Sequence, residues 1–223
     1  MKTKIVITAL ISALTINVAS ADQHAGLSFD GEIGAKYASD HFFRGQARSQ
    51  DAIQANVGFN TSVGSVGLFG ELFTSQDVDS VQADTNDITV GLSLSPVDKL
   101  DLLLGLYNTQ VSDSGGELEW FIGAEIDMLL SPALTVYRNT DDELYTYEGS
   151  LTHEINLDVL KLEVTGWLGN TELTESVDST YYGAKLTAIK SVGPIDFYAD
   201  VAVNDNEDRD SETVWGAGLA VKF

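Results

Sequence analysis

Carboxylates recur on one phase of an alternating pattern along most of this chain: Asp30, Glu32, Asp87, Asp101, Glu119, Glu125, Asp127, Glu148, Glu154, Glu163, Asp196 and Asp200. Lys36, Lys161, Lys185 and Lys222 share that phase as cations. Acids that surround water raise the local concentration of cations and repel anions. The same charges paired with one another make a rigid, plugged interior; the excess of acids over lysines favours the wet one. The three histidines, His24, His41 and His153, stand beside no serine and carboxylate in a pattern that reads as a triad, although folding can assemble distant residues. Oxygen ligands crowd residues 77–84 ("DVDSVQAD") and 204–212 ("NDNEDRDSE"), yet neither stretch carries the glycine and terminal glutamate of a calcium loop. They read as solvated acidic loops, and no metal or other cofactor is expected.

Composition narrows the classes further. A formal net charge of −22 argues against nucleic acid and against adhesion to anionic headgroups. With no cysteine there is no disulfide framework, thiolate metal site or cysteine nucleophile. The first 21 residues, with Lys2 and Lys4, an apolar stretch from Ile5 to about Ile16 and the small triplet Ala19-Ser20-Ala21, have the build of a secretory signal peptide. That leaves one domain, 22–223, whose charge without the two leader lysines falls from −22 to −24.

The elements that must position the acids are strands. After residue 21 the chain alternates apolar and polar residues in short segments, separated by Gly, Asp, Asn, Ser and Pro. Twelve such segments can be traced. The first sets Leu27, Phe29, Gly31, Ile33, Ala35 and Tyr37 against Ser28, Asp30, Glu32, Gly34 and Lys36. Segments three (66–74), five (100–107) and seven (133–138) have apolar residues on both faces, which leaves their phase open and a count of ten possible. Connections alternate between brief ones, such as 64–65 and 96–99, and long polar ones at 40–51, 75–86, 108–117, 139–144, 169–179 and 204–212.

Alternation alone does not say which face points inward: a lipocalin-like soluble barrel hides the apolar face, a membrane barrel displays it. Segments of about nine to eleven residues match a tilted strand crossing a bilayer. Their even number and the short-versus-long connections fit a transmembrane antiparallel up-and-down β-barrel with short periplasmic turns and longer extracellular loops. Tyr37, Phe73, Tyr107, Trp120, Tyr137, Tyr145, Tyr147, Tyr182 and Trp215 gather where segments meet the long connections, as an interfacial girdle would. In this arrangement Gly34, Gly58, Gly91, Gly105, Gly123, Gly183, Gly216 and Gly218 line the bore and keep it from filling, while Phe121, Trp167, Tyr181 and Tyr198 project into it.

The final strand resembles that of Gram-negative outer-membrane barrels, with Trp215, Ala217, Leu219, Val221 and Phe223 on one phase. That resemblance implies recognition by the barrel-assembly machinery and closure against the first strand. Outer-membrane lipids and lipopolysaccharide are then the expected surroundings. The stretch "ASDHFFRGQARSQDAIQANVGFN" at 38–60 is similar to the N-terminal signature of the TorF (gcw_chp) porin family, through Ser39, Asp40, Phe43, Arg44, Gly45 and Gln50. His41 departs where an aromatic is usual, and Arg48 adds a charge to the turn. The resemblance implies an outer-membrane barrel with porin-like transport of small hydrophilic solutes and brings no catalytic residues.

If the first strand runs past Tyr37, then Lys36, Asp40 and Arg44 share the inner phase. Arg44 then either faces the acidic wall across a constriction or pairs with Asp40 or a loop carboxylate and anchors the loop. The candidate bore residues are Glu32, Lys36, Asp40, Arg44, Asp87, Asp101, Glu119, Glu125, Asp127, Glu148, Lys161, Glu163, Lys185, Asp196 and Asp200. Membrane-embedded lipid hydrolysis and a structural or adhesive barrel are the competing readings.

Overall fold

The computed structural model describes residues 27–78, 84–112, 115–174, 176–207 and 209–223. The leader, residues 22–26 and the acidic stretch at 79–83 lie outside the described residues. Twelve strands are present among those described: β1 (Leu27–Phe43), β2 (Gln46–Val63), β3 (Val66–Asp77), β4 (Thr85–Val97), β5 (Leu100–Val111), β6 (Gly115–Ile126), β7 (Pro132–Asn139), β8 (Tyr145–Asn156), β9 (Lys161–Thr174), β10 (Val177–Val192), β11 (Ile195–Asn206) and β12 (Arg209–Lys222). Each pairs antiparallel with the next, and β12 pairs with β1, closing the barrel.

Registry keeps the polar phase continuous around the wall. Glu32 faces Lys222 on β12 and Gly58 on β2; Gly58 faces Glu71 on β3, which faces Thr89 on β4. The opposite phase is greasy and uncovered: Leu104 is 55% exposed, Ile122 53% and Leu168 58%. A belt of this kind around the whole circumference is incompatible with water, and lipid is the environment that covers it. No helix among the described residues is long and apolar enough to cross a membrane, which says nothing against crossing by strands.

Closure follows from the same environment, because an unpaired backbone group in hydrocarbon costs several kcal/mol. The chain end shows how it is met. Gly31 and Phe223 exchange both backbone hydrogen bonds, at 2.7 and 2.9 Å. The Phe223 ring lies over Gly31, where an added methyl would overlap it, and packs 6.4 Å from Phe29. Higher on the same seam Tyr37 and Trp215 rings are 5.4 Å apart.

Three expectations change in detail. The strands are mostly longer than nine to eleven residues, up to 18 in β2. Much of what reads as long loop is paired strand rising beyond the apolar belt, because polar residues there still satisfy each other's backbone; the connections at that end among the described residues include 44–45 and 140–144. The girdle is also smaller. Tyr37, Trp120, Tyr145, Tyr147, Tyr182 and Trp215 stay on the outer phase, but Phe73, Tyr107 and Tyr137 pair on the inner one, opposite Asp87, Thr89 and Phe121.

Several inner glycines have a further role, each seating an aromatic ring from the directly opposite residue. Phe69 covers Gly91, Phe121 covers Gly105, Tyr181 covers Gly169 and Trp167 covers Gly183. A flat ring over a bare backbone excludes water from the ladder without projecting far into the bore. Gly58 is unlike these, its nearest neighbour for an added methyl being the Gly70 carbonyl at 3.8 Å. Gly169→Ala should therefore force the buried Tyr181 ring out of place and cost about 1–3 kcal/mol, the usual range for overpacking. Gly58→Ala should stay within about 0.5 kcal/mol. Urea unfolding midpoints in detergent, followed by tryptophan fluorescence, check both.

Candidate functional site in the bore

The upper part of the β1–β2 hairpin leaves the wall. Pairing of β2 with β3 begins at Ala52, and pairing of β1 with β12 ends at Ala38, so the ladder between His41–Phe43 and Gln46–Ser49 is free to bend. A register shift between His41 and Phe42 breaks the alternation there. Tyr37 donates from its hydroxyl to Asp51, Ser39 Oγ accepts from the Trp215 N–H at 3.1 Å, and Asp51 O accepts from Val78 N–H at 3.2 Å. These contacts tie off the point of departure.

The tip then crosses the bore. Arg44 and Gly45 form a two-residue turn with φ of 51° and 72°, the left-handed pair that suits a tight hairpin. Left-handed backbone costs an arginine about 1–2 kcal/mol, and its side chain supplies the compensation. The guanidinium donates from Nη1 and Nη2 to the two Glu119 carboxylate oxygens at 2.8 and 2.7 Å. It also sits 4.5 Å from the Tyr137 ring centre and 4.7 Å from that of Phe43, while Phe43 stacks on Tyr107 at 5.7 Å. On the other side, Asn206 Nδ2 donates to Gly45 O at 2.6 Å, and Gly45 lies against Tyr181. Glu119, Tyr137 and Tyr107 belong to β6, β7 and β5, whereas β1 and β2 have β12 and β3 as wall neighbours. The tip reaches them only by spanning the interior.

Arg44 thus enters the bore by another route than strand parity, which the register shift destroys: it is carried there on the turn. It pairs with neither Asp40 nor a loop carboxylate but with the wall residue Glu119, so anchoring and crossing are one arrangement. Their side chains are 11% and 6% exposed, which makes this a buried pair. Beneath the tip a cavity of about 380 Å³ is lined by Phe43, Arg44, Tyr137, Glu148, Trp167 and Tyr181; above it one of about 170 Å³ is lined by Arg44, Arg48, Glu117, Glu119 and Asp142.

Two larger chambers lie toward the short turns. One, about 480 Å³, gathers Glu32, Lys36, Glu71, Lys161, Glu163, Lys185, Asp196, Asp200 and Lys222. The other, about 430 Å³, has Asp30, Asp101 and Glu125 among serines, Asn60, Phe69 and Leu103. Three of the four inner lysines lie beside acids: Lys36 Nζ is 3.2 Å from Asp200, Lys222 Nζ 2.7 Å from Asp196 and Lys161 Nζ 2.7 Å from Glu154. Glu148 accepts from the Tyr181 hydroxyl at 2.8 Å.

Of the remaining candidates, Asp87 is buried in the wall next to the folded-in hairpin. Asp40 pairs with Gln50 on the departing hairpin and lines none of these cavities. Asp127 falls outside the bore: β6 ends at Ile126, and Asp127 is an exposed turn residue whose N–H donates to Lys99 O. The same turn ties down His153, whose Nδ1 lies 2.7 Å from Leu129 O. Glu71, Glu117, Phe73, Tyr107 and Tyr137 are inner-face residues that sequence reasoning missed. Their signal was the two-sided apolarity of segments three, five and seven, which arises because one face meets lipid and the other meets the inserted tip. Among the described residues no cluster of three or more His, Asp or Glu is arranged to hold a metal.

Fold and interior define a transmembrane β-barrel of the outer-membrane type with a hairpin folded into its bore. Several solved barrels share the fold. A structure titled "KdgM porin" superposes with a TM-score of 0.59 at 14% identity, covering 86% of this chain and 99% of that one. "NanC porin structure in rhombohedral crystal form" gives 0.55 at 13% identity, with 88% and 100% covered. The COG4313 outer membrane channel from Pseudomonas putida F1 gives 0.55 at 10% identity, with 87% and 95% covered. No family model matches the chain, and no curated protein is significantly similar to it. At such identities the likeness is one of fold.

Removing the latch should free the tip. The chain has no cysteine, so Ser49→Cys introduces a single thiol at a position that is 0% exposed, against Ser75. Since breaking a buried ion pair costs about 3–5 kcal/mol, Arg44→Ala should speed labelling of that thiol by a charged methanethiosulfonate at least on the order of tenfold. An unchanged rate means the hairpin is held elsewhere.

Proposed function

We propose that this chain is a porin-like channel of a Gram-negative outer membrane, passing small hydrophilic solutes by passive diffusion and favouring cations. The observation that carries the reading is the combination of a greasy exterior with polar chambers inside, where Asp30, Asp101, Glu125, Glu71 and Glu163 make no ion pair among the described residues. Carboxylates without a paired cation in a low-dielectric wall concentrate counter-ions. The porins and the outer-membrane channel with the same fold support the reading, as does the similarity of residues 38–60 to the TorF signature, whose Phe43, Arg44 and Gly45 build the inserted tip. Export by the leader, insertion by the barrel-assembly machinery through Trp215, Leu219, Val221 and Phe223, and contact with lipopolysaccharide belong to the same proposal.

Transport of this kind needs no cofactor. Selectivity would come from the tip, which crosses the bore, and from wall charge below it. Lipid hydrolysis finds little support in the geometry. His41 and Ser49 are paired across the hairpin, but the serine is fully buried and its hydroxyl lies 3.1 Å from that of Ser75, out of a substrate's reach. A plugged barrel is favoured by one observation, the span of the tip from Glu119 to Asn206.

Planar bilayers separate these. Under a KCl gradient the purified protein should show a reversal potential of the sign set by K⁺, and Arg44→Ala should raise single-channel conductance. A zero or anion-signed potential defeats the cation preference. Current that appears only in Arg44→Ala establishes the plugged state.

A further inference from the structure

The lysines of the bore are sorted by wall, whereas its carboxylates lie on both sides. Lys36, Lys161, Lys185 and Lys222 lie on the contiguous arc β9–β10–β11–β12–β1. The facing arc, from Ala52 on β2 through β8, presents carboxylates, amides and hydroxyls on its inner phase but no lysine or arginine among the described residues. The chamber of about 480 Å³ lies between the two arcs. Three of its cations are held by neighbouring acids, but Lys185 makes no ion pair among the described residues, and neither does Glu71. Lys185 on β10 and Glu71 on β3 line this one chamber from walls five steps apart in the twelve-strand ring. Glu32, on β1 opposite Lys222, lines the same chamber and accepts from Asn56 Nδ2 at 3.5 Å.

We propose that this chamber is a binding site for small zwitterions, solutes that carry an ammonium and a carboxylate, of which α-amino acids are the simplest. The carboxylate sits toward Lys185 and the ammonium toward Glu71. A simple cation leaves Lys185 unmatched, a simple anion leaves Glu71 unmatched, and a neutral solute leaves both; a zwitterion satisfies both at once. The volume is within the range of small-molecule sites. Phe73 and Tyr198 line the same chamber and offer apolar surface to a side chain. The site rests on the channel reading for access.

The test compares alanine with lactamide, a neutral solute of nearly the same shape, in proteoliposome uptake. Wild-type protein should take up alanine severalfold faster at low concentration, with saturation. In Lys185→Gln and in Glu71→Gln the ratio of the two rates should fall to about one, a readout that cancels changes in overall conductance. A wild-type ratio of one, or a high ratio that survives both substitutions, overturns the site. Absence of uptake for every solute overturns the channel reading instead. Equilibrium dialysis of labelled alanine against the detergent-solubilised barrel then decides the site alone: binding lost in Lys185→Gln upholds it, and no binding overturns it.

Discussion

A bilayer supplies no partner for a backbone amide, and that one fact governs this molecule. Every strand edge has to be paired, so the sheet must return to its own beginning. The seam where β12 meets β1 is therefore the site at which the fold succeeds or fails. Its lower end is secured by the reciprocal bonds of Gly31 and Phe223, and its upper end by Ser39 and the tilted rings of Tyr37 and Trp215. Glycines at 216 and 218 let the Lys36 side chain lie flat along the seam on its way to Asp200.

Above that seam the same requirement relaxes. Beyond the apolar belt, water and other polar groups can satisfy the backbone, so β1 and β2 leave the sheet together while staying paired with each other. What they bring inside is a compact set of aromatic and cationic groups, Phe43, Arg44 and Arg48, which would be unwelcome in lipid. The wall answers with Tyr107, Glu119 and Tyr137. Burying an arginine is expensive, and a bidentate carboxylate with rings on either side is the arrangement that makes it tolerable.

Most of the barrel was legible because period two survives wherever one face meets lipid and the other meets water. Residues 27–37 and 215–223 are plain examples. Legibility failed where a third environment intrudes. Phe69, Phe73, Tyr107 and Tyr137 read as misplaced because the sequence does not announce that part of the interior is dry, packed against a segment more than sixty residues away in the chain for Tyr107 and Tyr137. The rings over Gly91, Gly105 and Gly183 were hidden for a related reason: alternation shows which way a residue points but not what covers it. Arg44 was singled out correctly as a decisive cation, yet its partner, 75 positions on, is a matter of three-dimensional return and not of spacing.

The inserted turn also has a consequence for the order of events during biogenesis. Its partners Glu119, Tyr137, Tyr181 and Asn206 are spread over β6, β7, β10 and β11, the last of them 161 positions from Gly45. Contacts of such long range form late. The cross-bore clasp can close only once nearly all the staves stand, so the newborn cylinder passes through a stage in which its throat is unobstructed.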